Sequence, residues 1–454
     1  MDNQAFVRQV VSSAIKRLTP FARTRVDATT AVLAVLAYKV RCDNPHLFLV
    51  LDDEPAWRKL MAERSRVLET FSRHLRDLAQ RHERCRFWPA ALTLPSEAEE
   101  AFAACVYEID NVYLRADSLR QLAELAGPLV HFTLQHDRSG ELAEYSAFSS
   151  LAAVTAGLLM FAPGDRIYDS ACGLLDQLIE VQRRHPDIRL QLYGQDTNLL
   201  ALALAQINAL MNGVDHVKLE LGDTLVDPAF RGESGPLQFD VVLCSPPFGL
   251  TSNDPSRVLQ LPGRFPYREP KGRNLEWAFV QDALYRTRSG GQTLVTVPSG
   301  VLSRSGQETE IRWALLATGL LNLVVSLPLG TLAPLTRIHV HLLRFQTLPE
   351  GRQDQVLFVD ATRDPFKAAY DMPEPDVSVW VQRLIERPDE FPTQARWVSH
   401  EEIRQRGMNW LPEVYFVPEA PVVDLDALQQ EVDSQTRVTD RARTAFLNAL
   451  KETK

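Results

Sequence analysis

A chain of 454 residues has room for two or three domains, and 45% hydrophobic with 24% charged residues is the balance of a globular protein. No run of roughly 20 apolar residues exists for a membrane span. The opening MDNQAFVRQ has none of the order of a secretory leader, and five scattered cysteines point to a reducing cytoplasm rather than to disulfides or a zinc site. A net charge of −9 argues against a protein that grips nucleic acid alone, so DNA binding would need a partner to supply part of the phosphate contact.

Residues 1–135 predict a helical domain. Phe6, Val10, Val11, Ala14, Ile15 and Leu18 recur at helical spacing, and further amphipathic segments cover 29–40, 52–84, 97–113 and 118–134. The basic run Arg73 to Arg84 in the third reads as a solvated helix face. A polar linker at 135–144 precedes a change of period. From 149 onward helices alternate with short apolar strands at 166–169, 190–194, 217–221, 239–243, 293–297, 320–327, 340–345 and 355–359. That alternation predicts a doubly wound α/β sheet over 136–360. Residues 361–454 loosen into a proline-rich stretch and a long polar helix at 423–450, whose sparse apolar positions fit a heptad and suit subunit contact.

Four successive strand ends carry polar groups. Asp169 ends the first strand and is followed by the small residues Ser170, Ala171, Cys172 and Gly173, which would let a nucleotide-like ligand approach the backbone. Asp196 ends the second, where a carboxylate can take two ribose hydroxyls; it would also serve as a helix cap. Asp223 follows the third, in a Gly-Asp turn. The fourth strand, 239–243, is followed by Cys244 and then Ser245-Pro246-Pro247-Phe248. Two prolines fix the backbone there and remove two donors, leaving stiff carbonyls at the edge where open α/β sheets do their chemistry. His339 and His341 share a strand face, but with no third ligand nearby they predict packing rather than metal.

The series resembles the N6-adenine DNA methyltransferases, specifically the modification subunit of type I restriction–modification systems. Pro163 to Gly173 is similar to that family's PGDRVYDPACG, Tyr193 to Asp196 to its second block, and Phe239 to Gly249 to its FD-x-x-x-x-NPPFG. Trp277, Ser289-Gly290-Gly291, Pro298-Ser299-Gly300 and Ser326-Leu327-Pro328 follow in the family's order. The resemblance implies a Rossmann-like S-adenosylmethionine-dependent methyltransferase fold with an N-terminal helical domain and a C-terminal helical tail. It implies S-adenosyl-L-methionine as cofactor, double-stranded DNA as substrate, and a hetero-oligomer with a specificity subunit and a restriction subunit. Ser245, Pro246, Pro247 and Phe248 would receive a flipped base, and Tyr145, Ser146, Asp169, Ala171, Gly173, Asp196 and Asp223 would hold the cofactor. Arg264, Arg268 and Lys271, in a basic loop beyond the reactive turn, would meet DNA phosphates.

Two departures stand out. Leu174-Leu175-Asp176 occupies the place of Ser-Gly-Gly or similar, and Ser245 that of asparagine. Serine is shorter than asparagine and donates as well as accepts; it occurs at this place in N4-cytosine methyltransferases. These changes sustain two alternatives, a non-catalytic methyltransferase-fold scaffold and an N4-cytosine enzyme. An RNA or protein-glutamine methyltransferase would carry Asn-Pro-Pro-Tyr, which Ser245 and Phe248 do not match.

Overall fold

Leucine- and valine-rich runs bounded by turns assemble into one nine-stranded sheet. The computed structural model of the chain describes residues 3–48, 54–63, 65–136, 149–214, 216–232, 235–251, 258, 261–268, 274–329, 331–332, 338–347, 352–362, 377–416 and 433–439. The strands are β1 (Arg166–Asp169), β2 (Gln191–Asp196), β3 (Val217–Leu221), β4 (Arg231–Gly232), β5 (Gly235–Pro236), β6 (Phe239–Cys244), β7 (Thr287–Pro298), β8 (Leu321–Ser326), β9 (Val340–Phe345), β10 (Gln355–Asp360) and β11 (Ala395–Ser399). The sheet order is β11-β10-β8-β9-β7-β6-β1-β2-β3, with β4 and β5 a separate ribbon. Strands β3, β2, β1, β6 and β7 are parallel neighbours. β9 runs antiparallel between β7 and β8, and β11 antiparallel on β10. A run such as Val340–Phe345 is equally apolar in either direction, so periodicity alone did not reveal that reversal.

The helices of this region are α7 (Ser149–Gly157), α8 (Asp176–Arg184), α9 (Leu199–Met211), α10 (Glu276–Arg286), α11 (Ser299–Ser303) and α12 (Gln307–Ala317), after α1 (Asn3–Leu18), α2 (Arg25–Asp43), α3 (Glu54–Ala62), α4 (Val67–Arg81), α5 (Glu99–Asp110) and α6 (Leu119–Leu134). Helix α9 decides how these two groups meet. Asn198 caps it by accepting from the N–H groups of Leu200 and Ala201, and the sequence LLALALAQINALM is apolar on every side. Such a helix must be covered all round. The sheet side cannot do this alone, and α2 and α6 supply the other cover. Residues 201–211 and 28–40 are accordingly buried. The approach is tight: a Cβ on Gly213 would lie 2.5 Å from the Leu119 carbonyl oxygen.

The helical region and the sheet therefore share one hydrophobic core, which runs from Val7 to Ala395. The expected boundaries at 135/136 and 360/361 mark changes of sequence pattern, not breaks in packing. Residues 1–412 form one compact unit and 413–454 a second. Within the first, Val377–Glu386 is a helix against α7, and β11 extends the sheet. Of the expected helix at 423–450, residues 433–439 are helical and the rest lies outside the described residues. Among the described residues no helix is long and apolar enough to cross a membrane.

Candidate active site

Strands β6, β1, β2 and β3 are consecutive in the sheet, so the four polar strand ends sit side by side at its carboxyl edge. Asp169 pairs in register with Gly194 on one side and Leu243 on the other. Its Oδ1 accepts from the Ala171 N–H at 3.1 Å, and the residue is 1% exposed. Burial pushes its carboxyl up to about 7; the Ala171 N–H opposes the shift and the charge of Asp196 adds to it. Asp196 is half-buried. Its Oδ2 accepts from the Gly173 N–H at 3.0 Å and its Oδ1 from the Asn198 N–H at 2.8 Å. Burial raises its proton affinity as well. The Thr197 N–H is a third backbone donor to the carboxylate, so of its roughly four acceptor sites about one is left for a ligand hydroxyl. Asp223 is exposed and closes its own turn, accepting from Leu225 N–H at 2.8 Å and Val226 N–H at 3.2 Å.

The loop from Ala171 to Gly173 lies directly on β2. A Cβ on Gly194 would fall 2.9 Å from Cys172 Sγ and 2.7 Å from Leu219 Cδ2, so glycine is what allows the close approach. The departure at 174–176 keeps the loop's shape by other means. Leu175 adopts φ 72°, ψ 11°, the left-handed conformation that glycine takes without strain, and its side chain is fully buried. Leu174 is likewise buried. Both side chains are packed into the core rather than exposed on the surface of the loop. Asp176 opens α8 and accepts from Asn208 Nδ2 at 3.0 Å.

Ser245 lies one residue beyond the Cys244–Val295 pair of β6 and β7. Its hydroxyl meets Thr296 Oγ1 at 2.8 Å and accepts from Gln177 Nε2 at 3.0 Å. Thr296 and Gln177 are buried, at 1% and 3% exposure. Pro246 is buried, Pro247 exposed, and Phe248 half-buried against the core. The sequence reading missed Thr296 and Gln177. Thr296 was within reach, since it lies two residues before the Pro298 that ends the neighbouring strand. Gln177 required knowing that α8 turns one side chain toward β6. Gln195, also missed, is buried and bridges strands: its Oε1 accepts from Tyr168 Oη at 3.0 Å and Ala229 N–H at 2.9 Å, and its Nε2 donates to the Asp227 carbonyl at 2.9 Å.

The structure corrects the expectation for Arg264. It is fully buried, not a phosphate contact. Its Nε donates to Asp282 Oδ1 at 2.7 Å, Nη1 to the Leu225 carbonyl at 3.0 Å and Nη2 to the Thr224 carbonyl at 2.7 Å. A guanidinium committed to a buried carboxylate and two carbonyls is closed to solvent anions; it instead clamps the Asp223 turn to α10. Arg268 is partly exposed and ion-paired with Glu310 of α12, while Gln281 holds its backbone. Tyr145, Ser146 and Lys271 lie outside the described residues. His341 is a buried tie, with Nε2 2.8 Å from Ser299 Oγ and Nδ1 2.9 Å from Ser326 Oγ. Burial, with the charge of His339, brings its pKa down to about 3. Among the described residues no group of three or more His, Cys, Asp or Glu could hold a metal ion.

The fold is shared with a putative class I S-adenosylmethionine-dependent methyltransferase from Listeria monocytogenes, at a TM-score of 0.50 and 16% identity, covering 79% of this chain and 98% of that one. The type I restriction–modification system methyltransferase subunit from Streptococcus thermophilus superposes with a TM-score of 0.70 at 19% identity, covering 90% of this chain and 98% of that one. A chain from another type I restriction–modification assembly gives 0.66 at 17% identity, covering 99% of both. The chain belongs to the N-6 DNA Methylase family, whose sequence profile matches residues 131–421. It is 26% identical over 325 residues to the type I restriction enzyme MjaVII methylase subunit of Methanocaldococcus jannaschii, 67% of this chain and 54% of that protein. Over 194 residues it is 28% identical to the EcoEI methylase subunit of Escherichia coli, 40% of this chain and 38% of that protein. The chain spans about half the length of the MjaVII subunit.

Proposed function

We propose that the chain is the modification subunit of a type I restriction–modification system. It methylates the exocyclic amino group of a base, adenine N6, flipped out of double-stranded DNA in the cytoplasm. It works as a hetero-oligomer with a specificity subunit, and a restriction subunit joins the assembly. The observation that carries this reading is the juxtaposition of Asp169, Asp196, Asp223 and Ser245 on four adjacent strand ends. S-adenosylmethionine, when bound, supplies a methyl on a sulfonium: the S–CH3 bond breaks as N–CH3 forms, sulfur keeps the electron pair, and the amino group gives up one proton.

The chain's own groups fit that cofactor. Two carboxyls whose ionised forms burial disfavours gain from a cationic neighbour. The remaining acceptor site of Asp196 suits a ribose hydroxyl, and the backbone from Ala171 to Gly173, which lies on β2, would line the ligand. Pro246 and Pro247 hold the turn rigid, so positioning rather than acid–base chemistry does most of the work. Phe248 offers a face on which an extruded base stacks. Arg268 and Lys271 remain candidates for phosphate contact; Arg264 does not.

A second reading, a non-catalytic scaffold, draws on Ser245, whose hydroxyl already has two partners. Calorimetry with S-adenosylmethionine and methylome sequencing of cells carrying and lacking the gene with its neighbours separate the two. Cofactor binding that Asp196→Ala weakens about tenfold, with N6-methyladenine in the carrier genome alone, is the expected result. No cofactor binding refutes the enzyme reading; cofactor binding without new methylation supports the scaffold, and N4-methylcytosine would move the target base.

A further inference from the structure

Ser245 brings no amide to the turn, yet an amide is there. Gln177, the second residue of α8, reaches across to β6 and donates Nε2 to Ser245 Oγ at 3.0 Å. Thr296 Oγ1, from β7, holds the same hydroxyl at 2.8 Å. Either hydroxyl of the Ser245–Thr296 pair can donate to the other. With Nε2 facing the serine, Gln177 Oε1 is turned away from it and has no hydrogen-bond partner among the described residues. A carbonyl sealed in the interior without a partner costs about 1–3 kcal/mol. Gln177 Oε1 is not among the sealed, unpartnered polar atoms of this structure, so it is open to a donor that arrives in the site.

We propose that Gln177 is a catalytic residue of this chain. Its side-chain carbonyl accepts the hydrogen bond from the target amino group that an asparagine at position 245 would otherwise accept, and Ser245 and Thr296 are the positioning residues that orient it. The two departures in the sequence then answer one another: the loop that lost its glycines and the turn that lost its amide are joined by the Gln177–Ser245 hydrogen bond. A preorganised acceptor at the amino group fixes the direction of its lone pair and strengthens as positive charge develops on nitrogen. The inference rests on the methyltransferase reading above.

The test uses the full chain with the subunits encoded beside it, tritiated S-adenosylmethionine, and genomic DNA from cells lacking the gene. Gln177→Leu, of similar volume but without the amide, is expected to slow single-turnover methyl transfer by about 10²-fold. Cofactor affinity by calorimetry and melting temperature should stay at wild-type values. Ser245→Asn added to Gln177→Leu is expected to recover most of the rate, which a merely structural glutamine would not allow. A Gln177→Leu rate within threefold of wild type overturns the proposal. So does a loss that tracks cofactor affinity or melting temperature and is not rescued by Ser245→Asn. A wild-type assembly that binds cofactor and marks no base refutes the methyltransferase reading itself, and the proposal with it; the variants alone never give that result.

Discussion

Leu175 offers a direct test of how the cofactor loop keeps its shape. It holds φ 72° with its side chain fully buried. A left-handed conformation costs an ordinary L-residue about 1–2 kcal/mol, and glycine essentially nothing. Truncating a buried leucine to alanine costs about 2–5 kcal/mol. Leu175→Ala therefore forfeits the packing and keeps the strain. Leu175→Gly forfeits slightly more packing, about 0.8 kcal/mol for the further carbon, and some chain entropy, but sheds the strain. The alanine-to-glycine step should be close to neutral or favourable at position 175. At Leu174, equally buried but not left-handed, the same step should cost roughly 1 kcal/mol or more. Melting temperatures of the four variants, in which 1 kcal/mol is on the order of 2 °C, read the contrast. An alanine-to-glycine loss at 175 as large as that at 174 would show that the loop relaxes out of the left-handed conformation, and would refute the account.

Asp169 makes ligand-free stability depend on pH. Its folded carboxyl titrates at about 7 against 3.8 normally, so between those values the native state holds a proton that the unfolded chain has released. Stability is lost as pH rises through that window, by roughly 4 kcal/mol as an upper bound. Melting of wild type and Asp169→Asn from pH 4.5 to 8 checks this, and parallel curves would count against it. Gly194→Ala places a Cβ 2.9 Å from Cys172 Sγ. It should displace the loop and weaken S-adenosylmethionine binding about tenfold, roughly 1.4 kcal/mol; an unchanged calorimetric affinity would mean that the loop does not line the ligand. Breaking the Arg264–Asp282 pair with Arg264→Ala should cost about 3–5 kcal/mol of stability. A folded assembly carrying Arg264→Gln with Asp282→Asn, which loses the cation without leaving a lone buried carboxylate, should retain the salt dependence of DNA binding, whereas a slope reduced by about one would restore Arg264 as a phosphate contact.

Much of the site was legible because its chemistry is local. Asp169, Asp196 and Asp223 each follow an apolar run, and a strand end is visible in sequence without knowing what lies beside it. That they share one edge followed from the alternation of strand and helix. What sequence hid was lateral. Arg264 looked like one of several loop cations, and nothing in its neighbourhood announces the buried Asp282 eighteen residues on. The helix expected over 274–288 stops at Arg286, where Thr287 already belongs to β7. The partnership of Gln177 with Ser245 spans sixty-eight residues and depends on the register of two strands and the rotation of a helix. The left-handed backbone of Leu175 was hidden for a different reason: residue type predicts preferred backbone angles, and here burial of the side chain offsets a disfavoured one.

The all-round burial of α9 also bears on how the chain is made. Helices α1 to α6 leave the ribosome before α9, with the apolar surface of α2 that α9 will cover still open. Met211 follows Leu134 after a further 77 residues, on the order of 4–15 s at ordinary synthesis rates. Throughout that interval the nascent N-terminal bundle presents a sticky face to its surroundings, a natural landing place for a holdase chaperone. Synthesis past α9 supplies its cover, so the first part of the α/β region, well before the sheet is complete, is what shields the N-terminal helices from aggregation.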